Sequence, residues 1–421
     1  MQTIYHDKYK HNMTDGETAS RRLLEIAAAS GTREGVTRLP WTAEHRRAAD
    51  VITGWMEDAG LSVRMDAAGT LCGKSDNPDG KPALLVGSHQ DSVPAGGAYD
   101  GIMGVALGCL AARNLCDRIG DYPFALEILA FADEEGVRFP TALIGPRALA
   151  GTFDPATLDM RDADGVTMRE AMTSFGIDPA GIASVARRKQ DVFGYIEAHI
   201  EQGPVLEAKD LPVAAVSAIC GISRHEIRLS GETGHAGTVP MAGRRDALVA
   251  AARIIAAVND AANRVTDLRA TIGQITVRPG AVNAIPSDVR FPLEIRAPDD
   301  PVREAFEKQA KEIAKVMSAS SDVTIEATRT YVQPAATCDP TLTGALKQAI
   351  ATAGIDAMTI PSGATHDASA MIDLCPIAML FVRCRNGISH RPDEFASAED
   401  MTVAAAALSN AIGLLAGDRM A

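Results

Sequence analysis

No run of 18 apolar residues occurs in this sequence, and its apolar stretches, such as 402–408, stop far short of a bilayer span. A membrane-crossing helix is therefore not expected. Positive charge is in deficit: 41 Lys and Arg against 54 Asp and Glu leave a net charge of −13. A surface of that sign repels phosphate backbones and anionic headgroups, which argues against nucleic acid and membrane partners. The seven cysteines, Cys72, Cys109, Cys116, Cys220, Cys338, Cys375 and Cys384, include no CxxC. Their odd number and wide spacing suit neither a disulfide framework nor a zinc knuckle, so they are expected to be reduced and mostly buried. The opening MQTIYHDKYKHNMTDGE lacks the apolar centre of a secretory signal, and the expected compartment is the cytoplasm. Internal repeats and low-complexity tracts are also missing.

What the sequence does have is length: 421 residues, 46% of them hydrophobic, suffice for two domains that each bury a core. After Met13, TDGETASRR predicts a helix start capped by Thr14 or Asp15, which makes residues 1–12 an upstream extension expected to be poorly ordered. Apolar spacing predicts helices over 17–29 and 43–59 and a strand through 61–65. PALLVGSH at 82–89 reads as a buried strand, 101–116 as a Gly- and Ala-rich helix, and FALEILAFA at 124–132 as a second buried strand. Strand, helix, strand in that order predicts an α/β domain with a mixed, mainly parallel sheet. Strand-like stretches at 193–203 and 379–390 lead to His199 and His390. Functional groups in such sheets collect beyond the carboxyl ends of the strands, where His89, Asp91, Glu134 and Glu135 also fall. From about 213 to 330 the pattern becomes β, α, β, β, α, β, with helices at 245–262 and 301–318 and a strand at 322–328. This predicts an inserted α+β, ferredoxin-like domain with an antiparallel sheet. The expected division is 13–212, the insertion 213–331, and 332–421 completing the first domain.

GSHQDSVPAGGAYDG at 87–101 carries the strongest chemistry. Imidazole suits zinc and related divalent ions, and a carboxylate can bridge two of them, so His89 and Asp100 are candidate ligands. Asp91, two residues after His89, is expected to accept a hydrogen bond from the other imidazole nitrogen and fix its tautomer. HxD alone is common at strand ends; the following glycines and Asp100 are what raise its weight. ADEEGVRF at 132–139 places adjacent acids after a strand, with Glu135 to ligate and Glu134 to take a proton from a water and return it to a departing nitrogen. Taken singly, the acidic pair reads equally as a solvated turn, and His199 and His390 as ordinary histidines near strands.

Together with HIEQG (199–203), GHAGTVPM (234–241), NAIP (283–286), SGATHDA (362–368) and GISHRPDE (387–394), the ordered set resembles the M20 superfamily of metal-dependent aminoacylases and carboxypeptidases. Within it the chain resembles the amidase/hydantoinase-carbamoylase branch, over roughly residues 20–415. The resemblance implies two divalent metal ions, Zn or Mn with Co or Ni as alternatives. His89, Asp100 and His199 would hold one, and Asp100, Glu135 and His390 the other, with Asp100 shared. It makes Glu134 the general base and lets His235 polarise the scissile carbonyl, across a homodimer formed by the inserted lid domain. Arg296 would pair with a substrate carboxylate, and Gln202, Asn283 and His366 would contact substrate. Glu294 departs from the Asp found in many members and puts the orientation of Arg296 in question. Arg383, Arg385 and Arg391 read mostly as surface charges, and Arg244 and Arg245 as preceding a helix of the insertion. The implied activity is hydrolysis of N-carbamoyl amino acids to amino acid, CO2 and ammonia. Alternatives are allantoate amidohydrolase or β-ureidopropionase, and beyond them an N-acyl-amino-acid hydrolase or dipeptidase. A metal-free binding protein would require a lost ligand, and all five ligand positions are filled.

Overall fold

The protein is described here from a computed structural model, in which residues 13–418 are placed. The expectation for residues 1–12 lies outside the described residues. Two compact units divide the chain, one ending at Ser217 and resuming over Cys338–Ile360 and from Thr365, the other covering Ala218–Thr337 and Pro361–Ala364.

The first unit is built on a mixed sheet. Its central strands Ala125–Phe131, Ala83–His89, Val192–Ile200 and Ile377–Val382 are neighbours in that order and all parallel. Ser62–Met65 and Leu71–Lys74 extend one side antiparallel, and Val213–Ile219 pairs antiparallel on the other. Every residue of Ala83–His89, Ala125–Phe131 and Ile377–Val382 is buried, as a sheet covered on both faces requires. Helix Ile102–Leu115 is buried on nearly its whole circumference, and its small residues let it lie close against the strands. Thr14 caps helix Asp15–Ala27, forming a reciprocal capping box with Glu17.

The boundary expected at 212/213 falls at the start of Val213–Ile219, and Val213, Ala214 and Ala215 pair with Val382, Phe381 and Leu380. Pairing, which sequence periodicity does not encode, keeps these residues in the first unit. Leu71–Lys74 was also absent from the sequence reading; four residues are too few to establish a period.

The second unit is a five-stranded antiparallel sheet. Thr324–Gln333, Gly221–Ser230, Asp288–Ala297 and Arg269–Thr271 run in that order, with Thr276–Arg278 also on Asp288–Ala297. Helices Ala247–Ala262 and Asp300–Ser320 share one apolar core with it, centred on Leu229, Val289, Ile295 and Phe306. Asp246 and Asp299 cap the two helices through their side chains. The chain order is β, α, β, β, β, α, β, the expected pattern with its second strand split in two.

Candidate active site

His89 is the last residue of Ala83–His89, and Glu134 and Glu135 follow the neighbouring strand Ala125–Phe131 by three and four residues. His199 is the penultimate residue of Val192–Ile200, and His390 lies in the loop after Ile377–Val382. Four parallel strands thus deliver these side chains to one sheet edge, where Asp100 joins them from the loop before helix Ile102–Leu115.

The geometry converges on Asp100. Its Oδ1 lies 3.1 Å from His199 Nε2 and 3.8 Å from His89 Nε2, and its Oδ2 lies 3.1 Å from His390 Nε2. Ligand atoms of His89, Asp100 and His199 lie within 4.8 Å of one another, as do those of Asp100, Glu135 and His390. The Nε2 atoms of His89 and His199 approach to 3.5 Å. Nδ1 of His89 faces the Asp91 carbonyl at 3.1 Å and Nδ1 of His199 faces the Ile200 carbonyl at 2.8 Å, so in the neutral rings both Nε2 lone pairs point toward Asp100. Two such lone pairs converging on a carboxylate are the donor set of a cation site.

The acids point the same way. Burial, with Glu135 next to it, pushes the Glu134 carboxyl well above its ordinary range. Burial and the charges of Asp100 and Asp91 push Glu135 up to about 8. Its Oε1 is buried without a hydrogen-bond partner. At Asp100 burial is outweighed by His199 and His390, which hold its carboxyl well below the usual range. Contact with Asp100 raises His390 to about 9; in His199 burial works against the same contact and is overcome, again to about 9. A carboxylate-rich pocket with an orphaned oxygen and converging imidazoles fits divalent cations, and the absence of thiols leaves Zn, Mn, Co and Ni all compatible.

Asp91 behaves differently from its expected role. Its carboxylate is 3.8 Å from His89 Nδ1 and instead accepts the N–H groups of Glu134 (3.1 Å) and Glu135 (3.2 Å). Asp133, at φ 59°, turns the chain so that both amides face Asp91. Asp91 therefore fixes the acidic turn, while its backbone carbonyl sets the His89 tautomer. Gln202, expected to touch substrate, donates from Nε2 to Asp100 Oδ2 and Ser389 Oγ, both at 3.1 Å. His366 is buried edge-on to His199, ring centroids 4.4 Å apart, and burial drives its pKa well down, which keeps it neutral.

Two supporting residues escaped the sequence reading. Glu394 Oε2 accepts the N–H groups of Tyr99 (3.1 Å) and Asp100 (3.0 Å), and its Oε1 accepts Ser389 Oγ–H at 2.7 Å. One carboxylate thereby ties the Asp100 loop to the His390 loop; its presence in GISHRPDE was the available signal. Gly101, at φ 64°, leaves no room for a Cβ, which would run into the His89 ring.

In the second unit, His235 and Asn283 are exposed, and the Ala236 N–H donates to the Asn283 carbonyl at 2.8 Å. Arg296 donates to Glu294 Oε1 at 2.7 Å and to the Gly363 carbonyl at 2.6 Å, while Glu294 Oε2 takes Arg224. Glu294 thus holds Arg296 from two residues away on the same strand face. Arg383 is bidentate to the buried Asp400, whereas Arg391, paired with Asp393, and Arg385, over Phe395, are exposed surface charges as expected. Arg244 binds the carbonyls of Ala236 and Val239, and Arg245 that of Asp322.

A sequence profile of the family described as "Peptidase family M20/M25/M40" matches residues 85–413. An N-carbamoyl-L-amino acid amidohydrolase of Geobacillus stearothermophilus is 39% identical, covering 96% of this chain and 99% of its own. An allantoate deiminase of Arabidopsis thaliana is 34% identical over 96% of this chain and 82% of its own. The crystal structure of an amidase of the hydantoinase/carbamoylase family from Burkholderia multivorans superposes with a TM-score of 0.87 at 31% identity, covering 97% and 99% of the two chains.

Proposed function

The chain belongs to peptidase family M20/M25/M40, and from that premise we propose that it hydrolyses N-carbamoyl-L-amino acids with two divalent metal ions. The observation that carries this reading is the Asp100 carboxylate shared by two triads of metal-ligand type beside Glu134. His89, Asp100 and His199 would hold one ion, and Asp100, Glu135 and His390 the other. When bound, the cations would supply Lewis-acid polarisation and make a water easier to deprotonate.

The chain's own groups do the rest. Glu134, buried beside the two triads, takes a proton from the attacking water and returns it to the substrate nitrogen as the C–N bond breaks. Amino acid and carbamate leave, and the carbamate decomposes to CO2 and ammonia. Asp91 keeps Glu134 and Glu135 in register, and Gln202 orients Asp100. Arg296 meets the substrate carboxylate, His235 stabilises the developing oxyanion, and Asn283 and His366 complete the contacts. The local cations also offset the −13 net charge toward an anionic substrate.

The inserted unit serves as lid and dimerisation element in this reading. Domain closure would appear as a changed interdomain angle on binding a substrate analogue. A fully active monomer in sedimentation would overturn the dimer. Seven cysteines without a disulfide suit the cytoplasm. Among the described residues no helix is long and apolar enough to cross a membrane.

The test is to strip the protein with a chelator, restore Zn, Mn, Co or Ni separately, and follow ammonia release. The panel is N-carbamoyl-L-amino acids, N-carbamoyl-β-alanine, allantoate and N-acetyl amino acids. Metal-restored ammonia from the first group is expected. Release from allantoate or N-carbamoyl-β-alanine alone would move the substrate assignment, and cleavage of N-acetyl substrates alone would overturn the ureido reading.

A further inference from the structure

Two residues before His199, strand Val192–Ile200 carries an acid in the middle of the sheet. Glu197 is 0% exposed, set among the apolar Ile196, Ala198 and Ile200. Alternation along the strand puts Glu197 and His199 on one face. Ligand-type atoms of Glu197, His199 and His366 lie within 4.8 Å of one another.

The Glu197 carboxylate accepts from neutral donors: Oε1 from Ser88 Oγ–H and Oε2 from the Ala368 N–H, both at 2.9 Å. Ser88 precedes His89 on strand Ala83–His89, and Ala368 opens helix Ala368–Met371 two residues after His366. Glu197 is thereby fixed against the strand that ends in His89 and the loop that carries His366. Among the described residues no lysine or arginine pairs with it. A buried carboxylate without a cation is costly, because neutral hydrogen bonds only partly replace the water it has lost.

The cation that would offset this charge is the one for which His89, Asp100 and His199 are arranged. Those three bring a single carboxylate, Asp100, and share it with the second triad, where Glu135 adds another. Counted by ligand charge, the first ion is the less neutralised of the two, and Glu197 stands beside one of its imidazoles. Outer residues of this kind tune metal affinity without touching the metal.

We infer that Glu197 is a positioning residue for the first ion: its fixed charge strengthens the hold of His89, Asp100 and His199 on a divalent cation and has little effect on Asp100, Glu135 and His390. This role rests on the two-metal reading above and adds to it a residue that favours one site over the other.

The test uses the cobalt-loaded full chain, with ions withdrawn by a chelator of known affinity and followed by visible cobalt absorption and atomic spectroscopy. His390→Ala leaves the first triad intact and His89→Ala the second, so each site is read separately. Glu197→Gln in each background removes the charge alone, since its carbonyl accepts the Ala368 N–H and its amide donates to Ser88 Oγ. It should weaken cobalt binding about tenfold or more beside His390→Ala and less than about threefold beside His89→Ala. Ser88→Ala, which cuts one tie and keeps the charge, should cost less than Glu197→Gln at the first site. If Glu197→Gln does not fold, Glu197→Asp decides: affinity within about threefold of the His390→Ala parent supports a role for the charge, and a tenfold loss overturns it. Unchanged first-site affinity in Glu197→Gln, or equal losses at both sites, overturns the role. A wild-type chain that takes up no cobalt would overturn the two-metal reading with it. A chain that holds two ions yet releases no ammonia would overturn the ureido reading and leave the role of Glu197 standing on its own result.

Discussion

At Asp100 two oxygens serve three imidazoles and an amide, and neighbouring residues are arranged to keep that carboxylate still. Glu134→Gln removes the proton carrier but none of the proposed ligands, so kcat should fall by about 10²–10⁴ while metal content by atomic spectroscopy stays at the wild-type value. Glu394→Ala leaves the N–H groups of Tyr99 and Asp100 without their acceptor, a loss of about 1–3 kcal/mol in denaturant unfolding. It should also lower metal occupancy, because the Asp100 and His390 loops lose their common tie; wild-type occupancy would show the tie to be dispensable. Sequence made the convergence of His89, Glu134, Glu135, His199 and His390 legible, since strand ends set it. It did not reveal that Asp91 serves the turn and Gln202 serves Asp100, because those choices depend on loop dihedrals at Asp133 and Gln202, both in the left-handed region.

Elements with a full period were legible to within a few residues: helix 43–59 is Ala43–Asp58, and 301–318 is Asp300–Ser320. Strand 322–328 extends to Gln333, because pairing with Gly221–Ser230 carries it across a bulge near Arg329 that sequence alternation does not show. Near the start of Ala43–Asp58, His45 Nδ1 accepts the Trp41 N–H at 2.9 Å, so the neutral imidazole acts within the helix entry. Burial, aided by Arg38, lowers its pKa from 6.5 to about 3. The folded value lies below the unfolded one. The stability due to His45 is therefore intact above pH 6.5 and is lost as pH falls from there toward 3. Urea midpoints measured across that window should fall with pH, and His45→Gln, which keeps an acceptor for Trp41, should flatten the fall. An unaltered slope would place the acid sensitivity elsewhere.

At the scale of the whole molecule, the composition anticipated reduced, mostly buried thiols, and six of the seven cysteines are buried, Cys116 being the exposed one. Burial raises Cys72, Cys109, Cys338, Cys375 and Cys384 to about 12, far from the reactive thiolate. A thiol reagent should label one site per native chain quickly and the remaining six only on unfolding; two fast sites would contradict this packing. The order of the central sheet has a further consequence for how the protein is made. Strand Ile377–Val382 lies between Val192–Ile200 and Val213–Ile219, and His390 and Glu394 come later still. On the ribosome, the strands made before it must wait, with the buried edge of Val192–Ile200 open, until Ile377–Val382 has emerged. A nascent chain cut short anywhere before that strand presents an incomplete sheet to chaperones and proteases, and the candidate site is whole only once His390 and Glu394 have emerged.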